Sequence, residues 1–313
     1  MVMRLLSRVG GLLLVLFIVG ALVFFLTRLA PGDPAALMLG DQATPADIAR
    51  LRATYGFDKP WIVQFGLWLW QVCHGNLGTS IFLQRPVTQA LYERAEITFF
   101  LALFSLVIAT LIGVPAGIAS AVWRGRILDQ IISGLAMLAA NIPSFWLGLI
   151  VIQIFAVRLG WFPVAGYGAP DADFADRLYH LILPSAVLGV VNSALITRFT
   201  RASMLDILSA DFIRTARAKG VAEPRVILKH AFGNVLVPVV TVLGLTLALL
   251  IGGAIVTETV FGLPGVGNLV VSAVLRRDYP VIQGALLVVA AIYVLINLLI
   301  DVVYTLVDPR VRR

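Results

Sequence analysis

Few residues of the sequence have the types and spacing that catalysis requires. The chain has three histidines and a single cysteine, Cys73, so no disulfide can form within it, and it has no CxxC, histidine cluster or metal-ligand spacing. His180 and Asp301 lie near the ends of long apolar runs, and the order of those runs places them at opposite membrane faces. They therefore cannot form the active site of an intramembrane enzyme, and we expect a protein without catalytic or metal-binding residues.

The most distinctive polar segment is Asp211–Pro238, which lies between two apolar runs and which we call the finger. Its bases outnumber its acids: Arg214, Arg217, Lys219, Arg225 and Lys229 against Asp211 and Glu223. Gly220 separates two stretches of helical composition, and Pro224 suits the first turn of the second. Ala216 and Ala218 keep the first helix thin, so another surface could approach its backbone. The pattern predicts a rigid helix–turn–helix held at the membrane face for a partner.

Long apolar runs identify a polytopic membrane protein. Of the 313 residues, 60% are hydrophobic and 13% charged, with a mean hydropathy of +0.96, whereas soluble domains are about 25% charged. A bilayer span takes about 20 apolar residues, and six runs qualify: 9–27, 97–123, 130–157, 178–197, 231–257 and 279–300. We predict an all-α fold with six transmembrane helices. The first run could instead be a secretory signal, although it exceeds the usual apolar length of about 7–15 residues and lacks a small-residue cleavage site.

The distribution of charge predicts the orientation. With the N-terminus inside, the inner segments hold 14 of the 24 Lys and Arg residues and six acids, while the outer segments hold 10 bases and 11 acids. Seven of the inner bases lie between Arg198 and Lys229. Because cytoplasmic loops carry excess Lys and Arg, both termini are expected in the cytoplasm. The net charge of +7 therefore reflects membrane topology and does not indicate nucleic-acid binding.

The outer segment after the first span is long enough to fold on the surface. Residues 44–47 (TPAD) predict a helix start, and Gly56 predicts its end. Pro60 can start a second helix, and the turn-rich stretch 75–80 leads back towards the membrane.

This organisation predicts three regions: 1–30 with the N-terminal tail and first span, 31–95 as an outer loop region, and 96–313 as a core membrane domain with five spans. The second outer helix carries three tryptophans. They fit an interfacial aromatic belt, with substrate contact as the alternative: Trp61, Trp68 and Trp70.

Prolines and polar groups interrupt the spans. Four prolines are expected to break helical hydrogen bonding, and freed carbonyls must face protein or water: Pro115, Pro143, Pro184 and Pro238. The main polar groups at depth are Asn141, Ser144, Gln153, Asn192 and Ser193. They either join helices by hydrogen bonds or line a path. The candidates for a translocation path are Asn141, Pro143, Ser144 and Asn192.

Residues 257–280 follow the fifth span on the outer side. Their apolar residues are too many for a solvated loop, and their glycines and Pro264 interrupt a helix. We predict a partly re-entrant hairpin, with a short amphipathic helix lying on the membrane as the alternative. Four charged residues would bracket the hairpin at the surface: Glu258, Arg276, Arg277 and Asp278.

The sequence 214–220 (RTARAKG) resembles the cytoplasmic EAA---G motif of ABC importer permeases. Ala216 and Gly220 keep the pattern, whereas Arg214 stands where the motif has Glu. The dipeptide, oligopeptide and nickel branch of these permeases commonly has RTARAKG at this place. Residues 236–238 (LVP) correspond to the later I-x-L-P of the motif at a wider spacing, which also resembles that branch.

Further segments extend the resemblance over nearly the whole chain. They are 29–34 (LAPGDP), 75–80 (GNLGTS), 258–267 (ETVFGLPGVG) with 277–280 (RDYP), and 308–310 (DPR). In the second, Asn76 replaces the usual Asp of the branch. Together with the finger they occur in the expected order and on the expected membrane faces. The chain thus resembles an inner-membrane permease subunit of that branch.

The resemblance implies a type I ABC importer permease fold and a set of partners. A second homologous permease would complete the pore, two ATP-binding subunits would bind ATP and Mg, and a periplasmic binding protein would deliver substrate. The chain itself lacks GxxxxGK[ST], so ATP hydrolysis is expected on the partners. The coupling residues, within a loop at about 202–231, would be Phe212, Arg214, Thr215, Ala216, Arg217, Ala218, Lys219 and Gly220. An outer gate or binding-protein contact would involve Glu258, Phe261, Arg277 and Asp278.

The implied mechanism is alternating access in the bacterial inner membrane. ATP-driven closure of the partners would move the finger, and helix breaks at Pro143, Pro184 and Pro238 would let the bundle rock. Di- or oligopeptides are the expected cargo, with nickel chelates or glutathione as alternatives. An autonomous secondary transporter or channel would need ionisable groups at mid-membrane, which the spans lack.

Overall fold

The computed structural model describes residues 2–29, 44–56, 58–169 and 171–307. Within these ranges the chain is helical, and its only β-type pairing is an isolated antiparallel bridge between Thr79 and Pro86. Residues 30–34 and 308–310, which carry part of the family resemblance, lie outside the described residues.

The described helices follow the predicted order. They are α1 Val2–Leu29, α2 Pro45–Tyr55, α3 Trp61–Cys73, α4 Val87–Val122, α5 Ile127–Asn141, α6 Ser144–Arg158, α7 Phe174–Leu208, α8 Asp211–Ala218, α9 Glu223–Val260, α10 Val266–Arg276 and α11 Tyr279–Val307. Two stretches are π-helical, Ile152–Arg158 at the end of α6 and Val226–Ala231 near the start of α9. Neither stretch was predicted, because a π-helix adds one residue to a turn without a recognisable change in composition.

Among the described residues, five helices are long and apolar enough to cross a bilayer: α1, α4, α7, α9 and α11. The predicted number of six is reached when α5 and α6, which are bent by 99° at a short break, are counted as one broken span. The bend lies at Ile142 and Pro143, where Pro143 starts α6 with φ −60° and offers no amide hydrogen to continue α5.

The predicted helix breaks at Pro184 and Pro238 are wrong. Both lie inside continuous helices, α7 and α9, as Pro115 does in α4. One lost backbone hydrogen bond is tolerated in a membrane helix when neighbouring groups compensate for it. A proline ends a helix only where the preceding residue also leaves the α conformation, as Ile142 does at φ −77° and ψ 123°.

The contacts divide the chain into two compact units, and the larger comprises residues 97–267 and 295–313. Its central helix is α7. In an apolar stretch of 18 residues, 61% of α7 is buried, against 39% for α4 and 33% for α9. Leu101, Leu188 and Leu250 form the centre of its main hydrophobic cluster. Outside the lipid, removal of apolar surface from water, worth about 25 cal/mol per Å², drives the packing of such side chains. Within the lipid, close van der Waals contact between helices drives it.

Glycines let α4 and α7 approach closely. A Cβ on Gly113 would lie 2.7 Å from Ile196, and one on Gly117 would lie 2.6 Å from Thr200. Reciprocally, a Cβ on Gly189 would lie 2.7 Å from Ile108. Gly113 and Gly117 form a small-xxx-small pattern of the kind that joins membrane helices. This spacing is visible in the chain but was not among the sequence-based predictions.

The smaller unit comprises residues 1–96 and 268–294. α2 begins and ends as predicted: Thr44 caps it by accepting from the Asp47 amide at 3.2 Å, and Gly56 ends it with φ +68°. α3 packs on α1 through an aromatic cluster, with Trp68 5.6 Å from Phe24 between ring centroids.

The three tryptophans of α3 do not share one environment. Trp61 and Trp70 are 49% and 67% exposed, as an interfacial belt requires. Trp68 instead stacks on Phe65 and lies 3.4 Å from the position of a Cβ on Gly20. Trp68 is thus half-buried and packs between α3 and α1, whereas Trp61 and Trp70 are exposed.

Candidate functional site

The first helix of the finger is anchored by one buried side chain. Ile213 of α8 is fully buried and packs in a cluster with Val226 and Val235 of α9. Ala216 and Val221 pack against the same cluster. Because α8 has only eight residues, it is too short to be stable alone, and this apolar contact holds it in place.

The opposite side of α8 is exposed. Phe212 is 46% exposed, and the side chain of Arg214 is 74% exposed while it lies 3.4 Å from Asp211. Ala218 and Lys219 are also exposed. Thr215 is satisfied within the helix, where its hydroxyl donates to the Asp211 carbonyl at 3.0 Å. The exposed surface combines an aromatic ring with positive charge.

Gly220 makes the turn between the two helices of the finger. Its φ of +75° is a conformation that other residues adopt at a cost, and its amide donates to the Arg217 carbonyl at 2.9 Å. The Val221 amide closes the turn on the Ala216 carbonyl at 3.2 Å. A Cβ on Gly220 would meet no atom within 4 Å, so the turn conformation alone requires glycine within this chain.

A bidentate ion pair joins the two helices of the finger. Arg217 donates to both carboxylate oxygens of Glu223, at 3.1 and 2.6 Å. These hydrogen bonds raise the pKa of Arg217. Two of the predicted coupling bases, Arg214 and Arg217, thus have acidic neighbours inside the finger, and Lys219 is the more available of the three.

A second ion pair, which the sequence analysis missed, lies just before the finger. Arg201 of α7 donates to Asp129 of α5 through Nε at 2.8 Å and Nη2 at 2.9 Å. Asp129 also accepts from the Gly125 amide at 2.9 Å and from the Ser120 hydroxyl. The buried Asp129 carboxylate therefore joins α4, α5 and α7. Its partner Arg201 lies seven residues before the end of α7.

The predicted path residues lie on two helices. Asn141, Pro143 and Ser144 lie at the bend between α5 and α6, with Asn141 and Pro143 exposed. Asn192 lies in the middle of α7, half-buried. The Asn141 and Asn192 amides each donate to a carbonyl one turn back in their own helix, at 2.7 and 2.8 Å.

The turn after α9 is packed inside protein. Phe261 and Leu263 are 3% and 0% exposed, and Glu258 is 0% exposed. The expectation that Glu258 brackets a hairpin at the surface is therefore wrong. The Glu258 carboxylate accepts a hydrogen bond from the Thr98 hydroxyl at 2.6 Å. The Thr98 hydroxyl oxygen in turn accepts from the Val266 amide at 2.9 Å.

Two glycines make room for the Glu258 carboxylate. A Cβ on Gly265 would overlap it, and one on Gly267 would lie 2.9 Å away. The turn leads into the short helix α10, which buries Leu269 and Val270 but leaves Val274 and Leu275 exposed at its end.

Asp278 is likewise buried, at 3% exposure. The expectation that Asp278 brackets the hairpin at the surface is therefore also wrong. Asp278 accepts from the Ser80 hydroxyl at 2.5 Å and from the Ile81 and Phe82 amides at 3.2 and 3.1 Å. Arg277 is exposed with φ +56°, and Arg276 lies 3.6 Å over the Phe82 ring. Of the four predicted gate or binding-protein residues, Arg277 alone is exposed.

The comparisons with known proteins agree with the resemblance. Residues 113–313 match the family described as the binding-protein-dependent transport system inner membrane component, and residues 1–102 match its N-terminal companion. An inward-facing structure of the MetNI methionine ABC transporter aligns with a TM-score of 0.59 at 22% identity, over 70% of this chain and 97% of that one. This likeness supports the type I importer permease fold.

Relatives match over almost their whole length. A putative peptide transport system permease protein of Brucella abortus is 45% identical over 311 residues, which is 98% of each chain. The glutathione transport system permease protein GsiC of Salmonella choleraesuis is 44% identical over 307 residues, also 98% of each. The chain therefore belongs to the inner-membrane components of binding-protein-dependent transport systems, as a permease subunit of an ABC importer.

Proposed function

We propose that this chain forms half of the translocation path of an ATP-driven peptide importer in a bacterial inner membrane. Two relatives that are 45% and 43% identical over 98% of their lengths carry names of peptide transport permeases. GsiC is named for glutathione, which is itself a small peptide. A peptide is therefore the cargo that these names share.

The observation that carries the proposal is the construction of the finger. α8 has a fully buried anchor in Ile213, a fixed turn at Gly220, and an exposed surface with Phe212 and Lys219. Such a surface suits a groove on a partner, because a partly exposed aromatic ring beside a base is typical of interface anchors. In this proposal two ATP-binding subunits, which bind ATP and Mg, each grip one finger.

The remaining assignments complete an alternating-access cycle. A second homologous permease lines the other half of the path, and a periplasmic binding protein delivers the peptide. The bend at Pro143, with Asn141 and Ser144 beside it, is the proposed hinge and part of the path. The packed turn around Phe261 is the proposed outer gate, and the exposed Arg277 is the proposed contact for the binding protein.

The test is Phe212→Ala in the assembled importer. Phe212 is exposed in the chain, so the fold is expected to survive, whereas ATP-driven dipeptide uptake should fall at least tenfold because an interface anchor is lost. Phe199→Ala is the matched control, since Phe199 is 47% exposed against 46% for Phe212 but lies on α7. Co-purification of the ATP-binding subunit is measured for both variants.

Two results would contradict the proposal. One is normal uptake and normal co-purification in the Phe212→Ala variant. The other is solute movement by the isolated chain in liposomes without nucleotide or partners, which would indicate an autonomous transporter or channel.

A further inference from the structure

Two cavities adjoin in residues 1–96 and 268–294, and we propose that together they bind one anionic phospholipid. The larger has a volume of about 490 Å³ and the smaller about 320 Å³, and Thr27 and Tyr279 line both. The proposal does not depend on the proposed function, because it rests on the chemistry of these walls alone.

The larger cavity is the more polar of the two, and it is positively charged. Arg28 at the end of α1 and Lys59 before α3 line it, and none of its described lining residues is Asp or Glu. Gln71, Gln84 and Asn76 add neutral amide groups. Two bases, with no acid among the described lining residues, favour an anion such as a phosphate, which accepts hydrogen bonds from Arg, Lys and amide groups.

Tyr279 lies where the two cavities meet, since it lines both. Tyr279 is 8% exposed, and its hydroxyl has no hydrogen-bond partner among the described residues. Thr27 beside it is satisfied, because Gln283 donates to its hydroxyl oxygen at 2.6 Å and this hydroxyl donates to the Phe24 carbonyl at 2.8 Å. Buried polar groups are nearly always hydrogen-bonded, so the Tyr279 hydroxyl indicates a missing acceptor.

The smaller cavity is mostly apolar, although Arg277, Thr27 and Tyr279 also line it. Val23 and Leu26 of α1, Val274 of α10, and Ile282 and Leu286 of α11 line it. In their apolar 18-residue stretches, α1 and α11 are only 17% and 28% buried within the chain. These helices therefore leave surface that lipid can contact. An acyl chain fits this environment, whereas a dipeptide or free phosphate would leave it empty.

The depth of the site matches that of a headgroup. Arg28 is the second-last residue of the span Gly10–Leu29, and Tyr279 is the first of the span Tyr279–Ile300. Span ends lie at the boundary between hydrocarbon and headgroups, where tryptophans such as the exposed Trp61 and Trp70 also gather. The geometry thus places a phosphate near Arg28 and Lys59, and a chain between α1 and α11.

The test is lipid binding to the full-length importer by native mass spectrometry. Phosphatidylglycerol should bind at least tenfold more tightly than phosphatidylcholine with the same acyl chains. Lys59→Gln and Tyr279→Phe should each weaken phosphatidylglycerol binding about fivefold, through loss of one charge or one hydrogen bond. Both changes are small, since Lys59 is exposed and Tyr279→Phe removes only the hydroxyl. Arg52→Gln, which removes a base of the same region outside the cavity lining, should change nothing.

Three outcomes would overturn the proposal. The first is equal binding of the two lipids, and the second is unchanged phosphatidylglycerol binding in both the Lys59 and the Tyr279 variants. The third is displacement of bound phosphatidylglycerol by glycerol 3-phosphate or a dipeptide at comparable affinity, which would assign the polar cavity to a soluble anion without an acyl chain.

Discussion

Asp129 illustrates how one acid organises three helices of a largely apolar chain. It is 5% exposed, and its carboxylate is held by Arg201, Ser120 and the Gly125 amide. Removal of one partner of such a pair leaves the other charge with lost hydrogen bonds, which costs more than the net value of the pair. The finger begins ten residues after Arg201, so this pair positions its base.

Asp129→Ala should therefore destabilise the protein by about 3 kcal/mol, near the lower end for buried pairs because the Arg201 side chain is 31% exposed. Asp129→Ala with Arg201→Met should recover part of the loss, since no charge is then left without its partner. Asp206→Ala is the control, because Asp206 is exposed on α7. Thermal unfolding in detergent measures all three, and equal shifts for Asp129→Ala and Asp206→Ala would refute the role.

Glu258 and Asp278 mark where sequence reasoning failed at the residue scale. Acids beside apolar runs are typical of membrane surfaces, which is why both were expected there. Their burial depends on partners 160 and 198 residues away, Thr98 and Ser80, and such contacts leave no local pattern. Gly265 and Gly267 were the available hint, because adjacent glycines often make room for another group.

At the scale of elements, the finger was predictable because its signals are local. Gly220 determines the turn and Pro224 the start of the following helix, and both positions can be read from the chain. The Arg217–Glu223 pair was not predicted, since the turn geometry decides which base meets which acid. The bent span shows the same limit, because Pro143 and Pro184 have similar apolar surroundings in sequence but different backbones.

The Arg217–Glu223 pair yields a prediction about the finger. Arg217→Glu places two acids side by side and should speed proteolysis of the finger about three- to fivefold, as expected for an exposed pair worth up to about 1 kcal/mol. Exchange of the two residues, Arg217→Glu with Glu223→Arg, should restore resistance. Arg214→Glu is the control, because the Arg214–Asp211 pair is more exposed than the Arg217–Glu223 pair and its charged atoms lie farther apart.

Dipeptide uptake by the same variants separates two roles of Arg217. Recovery of both resistance and uptake in the exchanged variant means that Arg217 serves the shape of the finger. Failure of the exchange to restore resistance would contradict the ion pair itself.

At the scale of the whole molecule, the chain has one well-buried helix and several poorly buried ones. In its apolar 18-residue stretch α7 is 61% buried, whereas α1 and α11 are 17% and 28% buried in theirs. A single chain with so much exposed apolar helix surface requires lipid or other subunits around it. This is consistent with a permease that assembles with a second copy of its fold.

Orientation gives the last prediction, because the chain has a single, exposed cysteine. The charge distribution places Cys73 outside, so a membrane-impermeant thiol reagent should label it in intact spheroplasts. In a Cys73→Ser background, Lys219→Cys places the thiol on the exposed turn of the finger and should be labelled only after permeabilisation. Detergent-solubilised samples of both variants control for reactivity. Labelling of Lys219→Cys in intact spheroplasts would invert the topology and remove the finger from reach of cytoplasmic ATP-binding partners.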